Sequence, residues 1–164
     1  ASCNLALKEY PQLFKNSEYE KKAKELSEKV YDVSEFLTQH IKLALPKDSV
    51  HRKIGERLVT YHDPCHLRVS GIVKPPRELL KRIPHLKFLE MVDADRCCGG
   101  AGTYILKNPD YSTRIFRRKN EAIEHAGADI VATSCPACMM QLNSGLKGSK
   151  KVKHIVQLLD EAYN

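Results

Sequence analysis

The 164-residue chain has no run of about eighteen apolar residues, so a membrane-spanning helix is not expected. It opens Ala1-Ser2-Cys3, with neither a secretory leader nor a Met, as a piece of something longer would. A G-x-G-x-x-G turn is missing, because Gly99-Gly100-Ala101-Gly102 has the wrong spacing, and a phosphate-binding loop is missing too. No nucleophile–His–Asp arrangement can be assembled, so no catalytic residue is assigned. The chain also lacks basic residues interleaved with aromatics, and it carries no known recognition module. Nucleic acid is therefore not an expected partner. The net charge of +7 is partly gathered in KGSKKVKH at 147–154, which reads better as a solvated basic edge than as a docking patch.

What the chain does have is cysteine. Six cysteines without an export signal fit a reducing, cytoplasmic setting, with any membrane association made through partners. In such a setting thiols serve metals or redox chemistry rather than disulfides. Cys97 and Cys98 are adjacent and are followed by Gly99, Gly100 and Gly102. A disulfide between neighbours strains the peptide that joins them, and successive side chains point to different sides. Neither a staple nor a core explains the pair.

Residues 1–50 read as a helical N-terminal segment and 51–164 as an α/β domain. Ala23, Leu26, Val30, Val33 and Leu37 recur at steps of three and four, predicting one helix over 18–41 capped by Asn16 or Ser17. Pro11 is expected to separate it from a shorter helix at 4–10, and Pro46 and Gly55 bracket a polar connector. Beyond that, strands are expected at 57–62, 87–92, 129–134 and about 152–155. Helices are expected at 77–83, 111–126, from Pro136 to about Gly145, and at the end of the chain. This alternation predicts a mainly parallel sheet with helices on both faces, a three-layer α/β fold. Sites in such sheets form beyond the carboxyl ends of the strands. Cys65, the Cys97/Cys98 pair and Cys135/Cys138 each follow a different predicted strand, so five thiols should meet at one edge.

Cys135-Pro-Ala-Cys138 lets two sulfurs reach one metal ion or each other. Pro136 suits the first helical position, which makes Cys135 the N-cap and places Cys138 in the first turn. The helix's positive end there favours thiolate. Alone, this motif divides among zinc, redox chemistry and coincidence. Five thiols overfill one tetrahedral zinc, whereas a cluster of several irons offers neighbouring thiolates more than one metal to bond. The glycines allow close backbone approach to such a body. His62 and His66 are four apart, but Pro64 between them argues against a two-His helical metal face. His66, next to Cys65, is the candidate donor to a sulfur, although an ordinary loop histidine is the plainer reading. Three rivals stand beside the iron–sulfur reading. They are a structural zinc site using four thiols, a thiol–disulfide oxidoreductase working through Cys135/Cys138, and a metal-free interaction module.

The order Cys65, Cys97-Cys98-Gly99, Cys135-x-x-Cys138 resembles the CCG cysteine-rich domain. That domain occurs in one subunit of heterodisulfide reductase and in iron–sulfur subunits of glycolate oxidase, lactate-utilisation and anaerobic glycerol-3-phosphate dehydrogenase systems. YHDPCHL, DADRCCGGAGTY and GADIVATSCPACMMQL are most similar to the glycolate oxidase iron–sulfur subunit, and LKEYPQLF and VYDVSEFL to its linker region. The resemblance implies a non-catalytic electron-transfer component of an oxidoreductase. It implies an iron–sulfur cluster, [4Fe–4S] and non-cubane as in heterodisulfide reductase, held by Cys65, Cys97, Cys98, Cys135 and Cys138. Zinc is the alternative, since a related domain holds it. The implied partners are an FAD-containing 2-hydroxyacid dehydrogenase subunit and other iron–sulfur domains of the parent chain. Residues 1–50 then correspond to the linker from a preceding repeat whose end carries Cys3. The ferredoxin-like C-x-x-C-x-x-C-x-x-x-C-P runs of the family are not in this stretch.

Overall fold

The computed structural model describes residues 1–45 and 56–163; the polar connector from Pro46 to Gly55 lies outside them. Four strands form one parallel sheet: β1 (Arg57–Tyr61), β2 (Leu86–Phe88), β3 (Ile130–Thr133) and β4 (Lys151–His154), in the order β2-β1-β3-β4. The register pairs Val59 with Phe88 on one side and with Ile130 on the other. Side chains alternate between the two faces of each strand. Val59, Tyr61, Ile130 and Ala132 therefore face one layer, made of α5 (Lys74–Arg82) and α9 (Ile155–Tyr163). Val131 and Val152 face the other layer, made of α7 (Pro109–Ala126) and α8 (Pro136–Leu146). The expected three-layer α/β fold is present, with helices at its N-terminal end.

The N-terminal segment departs from the expected pattern. Pro11 lies inside α1 (Ser2–Leu13) rather than before a break; it forfeits one backbone hydrogen bond, and the helix ends two residues after it. Ser17 is not a cap: its Oγ accepts from Tyr19 N in a turn, and α2 spans only Glu20–Glu28. The chain restarts at Asp32, whose extended backbone and side-chain acceptor for Ser34 N form an N-cap for α3 (Val33–Glu35). A wide π turn, Phe36–His40, follows directly. The apolar repeat across 18–41 is real, but Asp32 competes for the backbone and divides it.

Two further short helices are placed, α4 (Cys65–Val69) and α6 (Tyr104–Lys107). Strand β2 stops at Phe88 instead of running to residue 92. Leu89 N still reaches Val59 O at 2.8 Å, but the chain then turns away. Met91 and Ala94 are buried against the α7/α8 face, so their apolarity serves a loop rather than a strand.

Helices α7 and α8 meet at Gly145, where a built Cβ would lie 2.2 Å from Phe116 Cζ. In an open helix Gly→Ala gains roughly 1 kcal/mol. Here overlap with a buried ring outweighs that gain, because an overpacked core costs about 1–3 kcal/mol. Gly145→Ala should lower the denaturation midpoint, and adding Phe116→Leu should restore part of it. A Gly145→Ala protein at or above wild-type stability would show that the helices separate freely.

Candidate metal centre

In the order β2-β1-β3-β4 the connection after β1 runs to one side and that after β3 to the other, and open parallel sheets place their sites at the carboxyl ends of two such strands. Past β1, Asp63-Pro64 leads into Cys65 at the start of α4. Past β2, the loop 89–103 carries Cys97 and Cys98. Past β3, Cys135 is the N-cap of α8, with Pro136 in its first turn and Cys138 one turn in, as the motif predicts.

The thiols form a connected row. Cys98 interacts with Cys138, with Cys97 and with His62, and Cys138 in turn with Cys135. Cys65 is close enough to Cys97 for their charges to interact. Ligating atoms of His62, Cys98 and Cys138 lie within 4.8 Å of one another. Cys98 and Cys135 are buried, Cys138 half-buried, and Cys65 and Cys97 exposed. The row thus runs from solvent to the sheet. Cys3 is exposed on α1, whose first turn is tied to α4 by Ser2 Oγ, 2.8 Å from His66 Nδ1.

The Cys138 hydrogen bond, with those from Cys97 and His62, holds Cys98 far below an ordinary thiol. Cys135 is lowered to about 5, chiefly by the Cys138 thiol, with the Ala137 and Cys138 N–H groups of the helix start adding to it against burial. Cys97 is raised by its bond to Cys98, and Cys138 by its bond to Cys135. Five neighbouring sulfurs cannot all carry charge together without a cation among them, whereas metal binding favours thiolate at every one. His62 is 1% exposed, and its Nδ1 is buried without a partner. A buried donor or acceptor left unpaired costs about 1–3 kcal/mol, which a ligand in the pocket can offset. The donor set, soft sulfur plus one imidazole, fits zinc or an iron–sulfur centre.

Three side chains fix the loops. Arg77 on α5 grips Asp63 through two contacts of 2.7 and 2.8 Å and also reaches Glu90 at 2.8 Å, joining the loops after β1 and β2. Lys119, 1% exposed, donates to the carbonyls of Asp93 (2.6 Å) and Ala94 (3.2 Å), and burial lowers it to about 8. Ser112 Oγ donates to Gly99 O at 2.8 Å, while Gly99 N donates to Cys97 Sγ at 3.3 Å. The sequence offers His66 as a candidate donor to a sulfur beside the plainer reading of an ordinary loop histidine; His66 is exposed on α4 next to Ser2, as the plainer reading has it, and it is His62 that lies beside Cys98. Strand parity holds the signal for His62, since it shares a face with Thr60 and Val131, opposite Val59 and Tyr61. For Lys119 the signal is a lysine in register with Ser112, Phe116 and Ile123, the buried stripe of α7.

The sequence pattern of the cysteine-rich domain family, CCG, matches residues 59–143, which include all three cysteine loops. The chain belongs to that family. It is 38% identical over 140 residues to a subunit of the fumarate reductase (CoM/CoB) of Methanothermobacter marburgensis, covering 82% of this chain and 27% of that one. It is 34% identical over 164 residues to lactate utilization protein A of a Geobacillus species, covering 97% and 67%. It is 34% identical over 171 residues to the probable glycolate oxidase iron-sulfur subunit of Bacillus subtilis, covering 98% and 37%. The chain therefore spans between about a quarter and two thirds of these CCG relatives. Among the described residues no helix is long and apolar enough to cross a membrane.

Proposed function

We propose that this CCG domain holds an iron–sulfur cluster and serves electron transfer in a 2-hydroxyacid oxidoreductase of the glycolate or lactate type. Cys65, Cys97, Cys98, Cys135 and Cys138 would hold the cluster, a [4Fe–4S] centre, with His62 on its inner side. What such a cluster supplies when bound is a one-electron store; the chain supplies the thiolates, the buried wall and the exposed Cys97 end. Electrons would come from an FAD-containing dehydrogenase subunit and leave through other iron–sulfur domains of the parent chain. The observation that carries the reading is that three strand ends bring the ligating atoms of His62, Cys98 and Cys138 within 4.8 Å of one another, with Cys97 and Cys135 beside them, more donors than one tetrahedral zinc takes. A dithiol enzyme would use Cys135 and Cys138 alone and leave Cys98 and His62 without a role. The names of two relatives, a lactate utilization protein and a glycolate oxidase iron-sulfur subunit, support the class of parent complex.

The test is anaerobic reconstitution with ferrous iron and sulfide, followed by iron, sulfide and zinc counting and electron paramagnetic resonance. Several irons per chain, matched by sulfide and giving a signal on reduction, are expected, with most of the iron lost in Cys98→Ser. A single tightly held zinc without sulfide would replace this reading with the structural one.

A further inference from the structure

One exposed sulfur of the row, Cys97, opens onto charge of one sign. Cys97 borders a groove of about 560 Å³ lined by Arg96, Arg114, Arg117 and Arg118, with no carboxylate among its lining residues. Steps of three and four place Tyr111, Arg114, Ile115 and Arg118 on one face of α7. Tyr111 is 61% and Ile115 37% exposed, giving the groove an apolar floor. Arg96 is paired with Asp93 at 3.2 Å; among the described residues the other three arginines have no ion pair. Carboxylates stand in the adjoining hollows, where Asp93 and Glu121 lie beside Arg96 and Arg118 and Glu121 also lies beside Arg117. The basic edge at 147–154 is different, because Lys150 pairs with Glu124 and Lys153 with Glu161.

We infer that the arginine face of α7 is the docking surface for an acidic electron-carrying protein, seated with its redox group over Cys97. The inference rests on the electron-transfer reading above and adds the place and chemistry of the contact. Unpaired like charges on a rigid helix repel one another and are relieved by a partner of opposite sign, and a groove of one sign focuses the field that draws it in. Arginine and tyrosine around a partly apolar centre make the strongest contacts in protein interfaces. The position matters as much as the charge: of the two exposed sulfurs, Cys65 and Cys97, it is Cys97 that borders the groove and adjoins the buried Cys98, so a partner seated here has a short path to the buried end of the row.

The probe is flavodoxin, a small acidic flavin protein, titrated calorimetrically into the reconstituted chain at low and at moderate salt, with basic cytochrome c as the opposite-charge control. Binding of flavodoxin that weakens with salt, and little binding of cytochrome c, are expected. Arg114→Glu/Arg117→Glu/Arg118→Glu should weaken flavodoxin binding at least about tenfold at low salt. Lys147→Glu/Lys151→Glu, on the other basic edge, should change it little. If the triple variant misfolds by circular dichroism, Arg114→Gln/Arg118→Gln is the substitute, with a smaller loss expected. Equal binding by the arginine variants, an equal loss on the lysine edge, or no binding by the wild type overturns the docking surface. Iron counted on the same samples separates the two ideas. A chain without iron that binds through α7 sinks only the cluster, and a loaded chain indifferent to the arginines sinks only the surface.

Discussion

Arg77→Met is expected to destabilise the protein by about 3–5 kcal/mol, the range for removing one partner of a buried ion pair. Arg77 and Asp63 keep 15% and 6% of their side-chain surface exposed, so water cannot replace what either loses. The two parallel contacts to Asp63 also hold Arg77 charged, raising it above an ordinary guanidinium ahead of any contribution from Glu90. Out of a typical total of about 5–15 kcal/mol, the loss is large. It should also reach the site, because Asp63 N bonds Ala94 O at 3.0 Å and Asp63 is two residues from Cys65. Urea unfolding of Arg77→Met against wild type measures the effect. Asp63→Leu/Arg77→Met, which removes both charges, should be less damaged than Arg77→Met alone. A cost under about 1 kcal/mol, the range of surface pairs, would mean that the pair does not hold the loops.

Gly99→Ala is expected to cost upward of about 3 kcal/mol, at the high end for one substitution, and to lower iron uptake with it. Gly99 has φ 89°, where a Cβ alone costs roughly 1–2 kcal/mol. The added carbon would also sit 2.6 Å from Ser112 O, a backbone atom of α7 that cannot move without the helix. The loop must therefore lift, and with it the N–H that Gly99 gives to Cys97 Sγ. Melting curves and iron per chain check this together. Gly102→Ala is the comparison. Gly102 has φ 57° but no atom within 4 Å of a built Cβ, so it carries the backbone strain alone and should suffer less. Equal losses at the two positions would remove the close approach to α7 as the cause.

The contrast between these glycines shows where sequence stops being informative. Both lie in one glycine-rich loop, and the reading that this loop lets backbone pass close to a bulky group covers both. Only the packing of α7 distinguishes them. The same limit explains the N-terminal helices, where apolar spacing suggested one long element and a single aspartate divided it. It explains β2 as well: FLEMV has the composition of a strand, yet Met91 serves a loop core under Lys119. Arg77 gave no sign in the sequence, since its partners Asp63 and Glu90 are 14 and 13 residues away and meet it only through the β1–α5–β2 crossover.

Taken alone, the amino-acid sequence determined the three cysteine loops, the strand before each of them and the capped helix after Cys135. These depend on short-range spacing, on proline and glycine at turns, and on the rule that parallel strands end together. It did not determine which side chains turn inward at that end. His62 joined the sulfurs, Lys119 went under the loop, and three arginines stayed without an ion pair among the described residues beside Cys97 because of strand register and helix seating. Contacts between residues far apart along the chain set those two, and no local pattern encodes them.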